Sequence, residues 1–352
     1  MLFRYFYILL LLNFIFLQCP DGEIEIWDVC YSIENTTTLY NPNDTSSGFP
    51  ASICDLTNLE VLDLEVIWGE ENYIFGEIPS CITSLENLTY LNLGWNALYS
   101  EIPFDIGNLE NLTFLNLLSN QIYGSIPESI GNLTNLEYLN LGFNDISGEI
   151  PSTIGQLVLL EEFYLTNNQI SGSLPRSIGN LVNLEMLSIY DNQINGAIPE
   201  SIGNLVNLVS FNAGINQLEF NIPSSIGNLI NLERLWINYN NLSGHVPYSI
   251  CNLDLLTWAP GGFNGEHSYL HDNNLCPPYP SCIEEDIGQQ DVLGCMDLQI
   301  GDVNYDQEMN VLDIIFIIGI ILNEQYDEIA DINSDQIINI LDVIQLVNII
   351  LN

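Results

Sequence analysis

The chain has 352 residues, of which only 14% are charged, and almost all of the charged residues are acidic. Asp and Glu total 46 whereas Lys and Arg total 3, so the formal net charge at pH 7 is -43. Arg4, Arg176 and Arg234 cannot neutralise a row of phosphates, which excludes nucleic acid as a partner and disfavours anionic membrane surfaces. Because 47% of the residues are hydrophobic, the chain has ample material for a core.

The amino end is predicted to be an export signal. Residues 1–19 place one Arg before an apolar run from Tyr5 to Leu17. This run is shorter than the about 20 residues that a membrane span needs, but it suits a cleaved secretory signal. Cys19 resembles the lipidated Cys of a bacterial lipoprotein, although larger residues precede it than such a cleavage site carries. An ordinary cleaved signal is favoured, with a secreted or bacterial cell-surface location.

A repeat of 24 residues dominates the middle of the chain. Pro recurs at this interval from Pro79 to Pro247, and Asn does so from Asn96 to Asn240. A fixed period of this length with Leu at constant offsets indicates a leucine-rich solenoid. The expected fold class is α/β: a parallel β horseshoe of about nine 24-residue repeats, followed by a small α-helical module.

One repeat shows how the coil is built. Leu139 and Leu141 alternate with polar residues, so a short strand is predicted to point these leucines into the coil. Asn144 sits where the chain bends out of the strand, and its amide is expected to bond to backbone groups that the bend leaves unpaired. Repetition makes an asparagine ladder. Gly148 is expected to allow a turn, and Ile154 to fill the coil from the convex side.

The spelling Leu-x-Gly-x-Ile-Pro-x-x-Ile-Gly-x-Leu resembles the plant-type leucine-rich repeats of plant receptor ectodomains and of some bacterial surface proteins. The resemblance covers roughly residues 50–275 and implies a curved ligand-binding scaffold. The repeat length departs from 24 residues at both ends of the array. An insertion lies near Val66–Glu71, and a longer segment through Trp258–His267 precedes the next ladder residue, Asn273.

The predicted domains are a signal peptide, an N-terminal cap, the solenoid, a disulfide-linked C-terminal cap or linker, and the small module. Their respective ranges are residues 1–19, 20–52, 53–275, 276–299 and 300–352.

Eight cysteines cluster at the two ends of the repeat array. They are Cys19, Cys30, Cys54, Cys81, Cys251, Cys276, Cys282 and Cys295. In an exported chain this distribution predicts disulfides that cap the coil, with Cys30 and Cys54 as the best single pair. The late four allow three pairings, which remain open. A zinc site is the less favoured interpretation, because the cysteines lack a short CxxC spacing.

A twelve-residue acidic motif occurs twice near the carboxyl end, at residues 302–313 and 331–342. Oxygen side chains at loop positions 1, 3, 5, 9 and 12, with a backbone carbonyl at position 7, form the arrangement that wraps calcium. The predicted ligands of two Ca²⁺ ions are Asp302, Asn304, Asp306, Glu308, Asn310 and Asp313, then Asp331, Asn333, Asp335, Ile337, Asn339 and Asp342. Each loop leads into a short apolar helix.

This doubled loop and helix resembles the type I dockerin, a calcium-dependent module that docks onto cohesin domains. The resemblance spans about residues 300–352 and implies a cohesin-type domain or other surface protein as partner. Gln307 and Gln336 stand where Gly normally takes a left-handed turn, a strain of about 1–2 kcal/mol each that weakens calcium binding. Val311-Leu312 and Ile340-Leu341 replace the frequent hydroxyl pair, so a more apolar partner is expected. The alternative is a purely structural calcium module without a cohesin.

Outward positions of the repeat strands form columns of aromatic and amide residues, which suit a glycan or an extended peptide. The expected ligand-binding residues are Tyr90, Asn92, Trp95, Phe114, Asn116, Tyr138, Asn140, Phe143, Tyr164, Tyr190, Arg234, Trp236 and Tyr239. The competing interpretation is that these aromatic rings only pack against one another across neighbouring strands.

No catalytic motif accompanies these features: the segment from His267 to His271 lacks the Glu of a zinc protease. The expected function is therefore that of an extracellular, non-catalytic binding protein, with the solenoid recognising a glycan or protein and the tail anchoring it. The alternatives are a component of a polysaccharide-degrading, cellulosome-like complex, or a hydrolase whose active site carries no recognisable motif.

Overall fold

A computed structural model describes residues 19–41, 48–66, 73–260, 267–293, 295, 300–303, 308–322, 329–333 and 337–351. The chain divides into two compact units, Met1–Ile194 and Asn195–Asn352. All of the predicted signal except Cys19 lies outside the described residues, as does most of the predicted insertion.

In the first unit, each repeat contributes a three-residue strand to a parallel sheet, called here the first sheet. Its strands are Thr38–Tyr40, Val61–Asp63, Tyr90–Asn92, Phe114–Asn116, Tyr138–Asn140, Glu162–Tyr164 and Met186–Ser188. Equivalent residues pair across the sheet, so that Tyr138 lies between Phe114 and Glu162. Leu139 and Leu141 are fully buried, which confirms the predicted alternation.

The asparagine ladder is confirmed. The Nδ2 atom of Asn144 donates to the carbonyls of Leu117, Leu141 and Gly142 at 2.9, 3.1 and 3.0 Å. Its Oδ1 atom accepts from the backbone N–H of Ile122 at 2.9 Å. The same arrangement recurs at Asn96, Asn120, Asn168 and Asn192. Each ladder amide thus satisfies backbone groups of its own repeat and of the preceding repeat.

A second parallel sheet, which the sequence analysis did not anticipate, follows the ladder in each repeat. Its strands in this unit are Tyr123–Ser125, Asp145–Gly148 and Gln169–Ser173, with Gln193–Gly196 where the unit ends. Two short paired strands, Phe75–Gly76 and Ala97–Leu98, precede it. Gly148 is the last residue of its strand and has a φ of 80°. The bend predicted at Gly148 is therefore present, but it lies at the end of a strand that was not predicted.

Short 3₁₀ helices complete the repeats. In the first unit they are Ala51–Asp55, Ser80–Ser84, Ile106–Asn108, Glu128–Asn132, Ser152–Gln156 and Arg176–Asn180. Ile154 is fully buried, as predicted. The helices stack closely enough that a Cβ atom added at Gly155 would lie 2.5 Å from the carbonyl oxygen of Ser177. Glycine is therefore required there by the approach of the next repeat.

An antiparallel hairpin, Glu23–Ile26 with Val29–Ser32, caps the first unit. The predicted Cys30–Cys54 disulfide is wrong: Cys30 pairs with Cys19, and Cys54 pairs with Cys81. Cys30 lies on the second strand of the hairpin, and its partner Cys19 lies just before the first strand. Cys54 lies on one 3₁₀ helix and Cys81 on the next, and the stacking of these two helices brings their Cα atoms to 5.8 Å.

The second unit contains further repeats of the same kind. Its first-sheet strands are Ser210–Asn212 and Arg234–Trp236, its second-sheet strands are Gln217–Phe220, Asn241–His245 and Asn274–Cys276, and its 3₁₀ helices are Glu200–Asn204, Ser224–Asn228 and Tyr248–Asn252. Asn273 bonds to the N–H of Leu242 and the carbonyl of Ile237, both at 3.0 Å, which confirms its predicted ladder position. Disulfides join Cys251 to Cys282 and Cys276 to Cys295, one of the three pairings left open.

Two α-helices lie near the carboxyl end: α1, Val311–Leu322, and α2, Ile340–Leu351. They share a small buried core formed by Val303, Ile317, Ile329, Ala330, Val343 and Leu346. In the part of the chain that the structure describes, the helices are all too short or too polar to cross a membrane.

Candidate ligand face and calcium loops

A column of aromatic rings crosses the first sheet of the first unit. Tyr90, Phe114 and Tyr138 stack with centroid distances of 4.2 and 4.3 Å and interplanar angles of 9° and 8°. The strand spacing imposes this, because equivalent residues of adjacent strands are about 4.8 Å apart. Tyr164, which pairs with Asn140 in the neighbouring column, places its ring 5.9 Å from that of Tyr138 with a tilt of 53°. The rings therefore do pack on one another, and the faces between them are covered, which leaves ring edges toward solvent.

The neighbouring asparagine column is not displayed to a ligand, contrary to the expectation from the sequence. Asn92, Asn116 and Asn140 are only 2%, 4% and 7% exposed. The Oδ1 atom of Asn140 accepts from the N–H of Gly142 at 3.0 Å, and its Nδ2 atom donates to the hydroxyl of Tyr138 at 2.9 Å. The physical reason is that each amide hydrogen-bonds to the backbone at the end of its own strand. The asparagines therefore lie beneath the aromatic rings and not on the exposed surface.

Carboxylates surround the aromatic column. The Tyr164 hydroxyl donates to Glu162 at 2.6 Å. Burial, and then the negative charge of Asp63, raises the pKa of Tyr90. Burial also raises the pKa of Tyr138, against a smaller opposing effect of its bond to Asn140, and Glu162 adds to the rise. The phenols are therefore neutral hydrogen-bond donors at neutral pH, within a negatively charged surface.

Glu162 and Glu65 are functional candidates that the predicted ligand-binding set omitted. Glu162 occupies the aromatic column itself, where the 24-residue period could have found it. Glu65 accepts a hydrogen bond from the Nδ2 atom of Asn92 at 3.0 Å. Glu65 lies before the irregular interval between the first repeat and the others. A search at 24-residue intervals therefore does not find it.

The predicted outward aromatics Trp95, Phe143 and Tyr239 share a left-handed backbone, with φ of 52°, 54° and 52°. Each directly precedes a ladder asparagine. Phe143 and Tyr239 are 52% and 51% exposed, so this bend turns large side chains into solvent. Tyr190 is half-buried in the first unit, and its carbonyl accepts from the amide of Asn192.

Arg234, Trp236 and Tyr239, the predicted ligand residues of the second unit, are already engaged in part. The Nε1 atom of Trp236 donates to the carbonyl of His267 at 2.5 Å. The Tyr239 ring packs edge-on against His271 with centroids 5.0 Å apart. The Nε atom of Arg234 is buried and has no hydrogen-bond partner within the described ranges.

The described parts of the two acidic loops share buried aspartates at their first and last positions. Asp302, Asp313, Asp331 and Asp342 are all at most 5% exposed. The oxygens of Asp313 accept from the N–H groups of Val303 and Asn310, both at 2.8 Å. Those of Asp342 accept from Asn333 and Asn339 at 3.2 and 2.9 Å. Position 12 of each loop is thus buried and fixed.

Position 9 of each loop starts a helix. The Oδ1 atoms of Asn310 and Asn339 accept, both at 2.8 Å, from the N–H groups of Leu312 and Leu341. Their Nδ2 atoms donate to the carbonyls at position 7, those of Glu308 and Ile337.

Three predicted calcium ligands, Asn304, Asp306 and Asp335, lie outside the described residues. Among the residues that are described, no three His, Cys, Asp or Glu side chains gather as metal ligands. The donor chemistry nonetheless fits calcium, because it consists of carboxylate, amide and carbonyl oxygens. Residues 300–352 include no Lys, Arg or His that could neutralise the four buried carboxylates.

Comparison with known families identifies the class. Residues 51–171 match the leucine-rich repeat region, and residues 183–205 and 231–253 match the single leucine-rich repeat. The chain is a leucine-rich repeat protein. No sequence match was found among curated proteins.

Solved structures with this fold include plant receptors. The Arabidopsis receptor kinase HAESA, in complex with the peptide hormone IDA and the co-receptor SERK1, is similar with a TM-score of 0.61 and 30% identity over 69% of the chain. The plant peptide hormone receptor RGFR1, in complex with RGF2, gives 0.59 and 34% over 65%. The chain spans only 39% and 34% of those two receptor chains.

A plant ice-binding protein is also similar in structure. Its TM-score is 0.56 at 27% identity, and the similarity covers 74% of this chain and 79% of that protein.

Proposed function

We propose that the protein is an extracellular, non-catalytic binding protein whose first sheet binds an extended polypeptide. The observation that carries this proposal is the aromatic column Tyr90–Phe114–Tyr138, half-exposed and bordered by carboxylates. An extracellular location is supported by four disulfides, which persist in oxidising compartments.

A polypeptide ligand is favoured over a glycan for a geometric reason. Sugars stack on open ring faces, whereas the near-parallel rings of this column cover one another's faces. Ring edges and phenol hydroxyls offer apolar contact and hydrogen bonds to an extended backbone. The similar plant receptors HAESA and RGFR1 are described with bound peptides, which supports the same choice. Because Asp63, Glu65 and Glu162 lie nearby, the ligand is expected to be neutral or basic.

An array of extended decapeptides, together with a glycan array, tests this proposal on the full chain. Neutral or basic peptides should bind, and Phe114→Ala should weaken them about tenfold or more, as truncation of a central aromatic does. Phe104→Ala is the matched control, because Phe104 is a 78% exposed aromatic that lies outside the column. Binding confined to glycans, or equal losses in both variants, would contradict the proposal.

We also propose that the carboxyl-terminal module binds two Ca²⁺ ions and docks the protein onto a cohesin-type domain or other surface protein. Four buried carboxylates in a module without basic residues support calcium. Leu312, Phe316 and Leu341 are about half exposed on the helices and form an apolar surface for docking. If the docking partner belongs to a polysaccharide-degrading complex, the protein is a non-catalytic component of that complex.

Titration calorimetry of the full chain with Ca²⁺ is the direct test. Two ions should bind the natural protein and one ion the Asp342→Asn variant, whereas Asp145→Asn, an exposed aspartate on the second sheet, should leave binding unchanged. Absence of calcium uptake would remove the metal proposal. Capture of an immobilised cohesin only in the presence of calcium supports docking, and calcium uptake without capture leaves the ions a structural role alone.

A further inference from the structure

A second aromatic and acidic surface lies in the first unit, away from the first sheet. This lateral patch consists of Phe75, Tyr99, Tyr123, Glu77 and Glu101. Phe75 and Tyr99 are 50% and 58% exposed, which is unusual for large rings on paired strands. None of these residues belongs to the ligand face proposed above.

Backbone hydrogen bonds hold the patch together. The N–H of Tyr99 donates to the carbonyl of Gly76, and that of Tyr123 to the carbonyl of Ser100, both at 2.9 Å. The rings of Tyr99 and Tyr123 lie 4.7 Å apart but are tilted by 34°, so they splay instead of covering each other as the first-sheet rings do. Parts of their faces therefore remain open.

The acidic half of the patch is fixed beside the rings. Glu101 pairs with Tyr123 in an isolated parallel β-bridge, and Glu77 directly follows the short strand Phe75–Gly76. Glu101 lies across the next repeat, because a Cβ added at Gly124 would be 3.0 Å from its Cγ atom. Partial burial raises the pKa of Tyr123, and Tyr99, Glu101 and Glu77 raise it further. Both carboxylates thus act electrostatically on the Tyr123 phenol.

The aromatic rings of the patch are not required by the fold. The positions equivalent to Tyr99 and Tyr123 in the next two repeats are Ser147 and Ser171. Their hydroxyls donate to the backbone carbonyls of Gly124 and Gly148 at 3.2 and 3.4 Å. Serine at this position is therefore compatible with the second sheet.

We propose that the lateral patch binds an Arg or Lys side chain of a polypeptide partner. The cation would lie against the open faces of Tyr99 and Tyr123, where the ring quadrupole attracts positive charge. Glu77 and Glu101 supply the charged hydrogen-bond acceptors. Charge complementarity selects this occupant: Arg176 is the only Lys or Arg of the first unit within the described residues, and the whole chain carries a charge of -43.

Binding of a defined peptide to the full chain tests the proposal. The probe is acetyl-Gly-Arg-Gly-Arg-Gly-amide, with a twin in which neutral citrulline replaces each Arg. The double variant Tyr99→Ser, Tyr123→Ser should weaken Arg-peptide binding about five- to tenfold, in line with a cation–π contribution. Serine is chosen because later repeats already use it, and an unchanged thermal melting curve confirms that the variant folds.

A pair of matched charge variants separates a specific site from general attraction by an acidic protein. Glu101→Gln should weaken binding about threefold or more, through loss of a charge-assisted hydrogen bond. Glu149→Gln should not, although Glu149 occupies the equivalent position two repeats later and likewise lies across a glycine, Gly172. Equal losses in both variants, equal binding of the citrulline peptide, or binding of a neutral oligosaccharide at the patch without the Arg peptide would each overturn the proposal.

Discussion

The repeats and the carboxyl-terminal module bury different kinds of polar group. The repeats bury amides: Asn192 donates and accepts at once, and the backbone satisfies both functions. The module buries carboxylates: Asp313 is fully buried and accepts from two backbone N–H groups. A carboxylate only accepts, and an isolated buried charge is costly. The repeats therefore satisfy their amides within the backbone, whereas the proposed calcium ions would neutralise the buried carboxylates of the module.

Removal of calcium is expected to have the largest effect on this comparison. Under the proposed calcium binding, a chelator should make the backbone amides of α1 and α2 lose protection from hydrogen exchange, because metal binding and folding are coupled in such modules. The repeat amides near Leu139 and Ile154 should keep their protection. Exchange measured by mass spectrometry compares both regions in one sample, and equal protection of the helices with and without chelator would contradict the comparison.

Loss of one ladder amide should destabilise the repeats strongly. Asn144→Ala leaves the N–H of Ile122 without its partner and removes one of the two amide donors to the carbonyl of Leu117, at a cost of about 1–3 kcal/mol. Asn135→Ala is the matched control: Asn135 is exposed and its amide makes one bond, to the carbonyl of Glu110 at 2.8 Å. Its loss should cost about 0.5–1 kcal/mol. Urea denaturation measures both, and similar midpoints would show that the ladder is not structural.

The same substitution should have opposite signs in the two regions. Gly155→Ala forces a Cβ to within 2.5 Å of the Ser177 carbonyl oxygen, so it should destabilise the repeats by about 1–3 kcal/mol. Gly319→Ala, in α1, meets no atom within 4 Å and should stabilise the calcium-loaded module by about 0.5–1 kcal/mol. Thermal unfolding of each variant gives the sign. A stabilising Gly155→Ala would mean that the 3₁₀ helices are not closely stacked.

Acidification should produce the smallest effect. Burial lowers the pKa of His245 below its ordinary 6.5, partly opposed by a backbone hydrogen bond involving Cys276. Since the unfolded chain then binds the proton more readily, His245 should reduce stability as the pH falls below 6.5 toward the folded-state pKa. His245→Gln should remove this part of the pH dependence in urea unfolding measured between pH 7 and pH 5, chosen as roughly the range where His titrates. An identical pH slope in both proteins would exclude the effect.

The first sheet and the ladder could be predicted because each follows from side chains at fixed spacing. Leu139, Asn144 and Asn273 all take the places that their offsets indicated. The second sheet could not be predicted in this way, because strands such as Asp145–Gly148 are held by backbone bonds and show no hydrophobic alternation. The pairing of Cys30 also escaped prediction, since it depends on how the hairpin folds back.

The sequence predicted which residues share the ligand face, but it did not predict how their side chains are oriented. The sequence placed Tyr90, Phe114 and Tyr138 in one column, but ring stacking, which covers their faces, follows from strand spacing and side-chain rotamers. Alternation along the strand predicted an outward Asn140. The chain bends at the end of the strand, however, so this amide turns back to the N–H of Gly142.

The left-handed residues before the ladder asparagines have a consequence for how the repeats can diversify. A non-glycine residue in this conformation costs about 1–2 kcal/mol, and less for Asn or Asp, and the adjacent asparagine fixes the bend. Trp95, Ser119, Phe143, Asn167 and Asp191 all adopt it, with φ between 52° and 55°. Aromatic, hydroxyl, amide and acidic groups are thus interchangeable at one backbone shape, so a duplicated repeat can acquire a new recognition chemistry by a single codon change without refolding the coil.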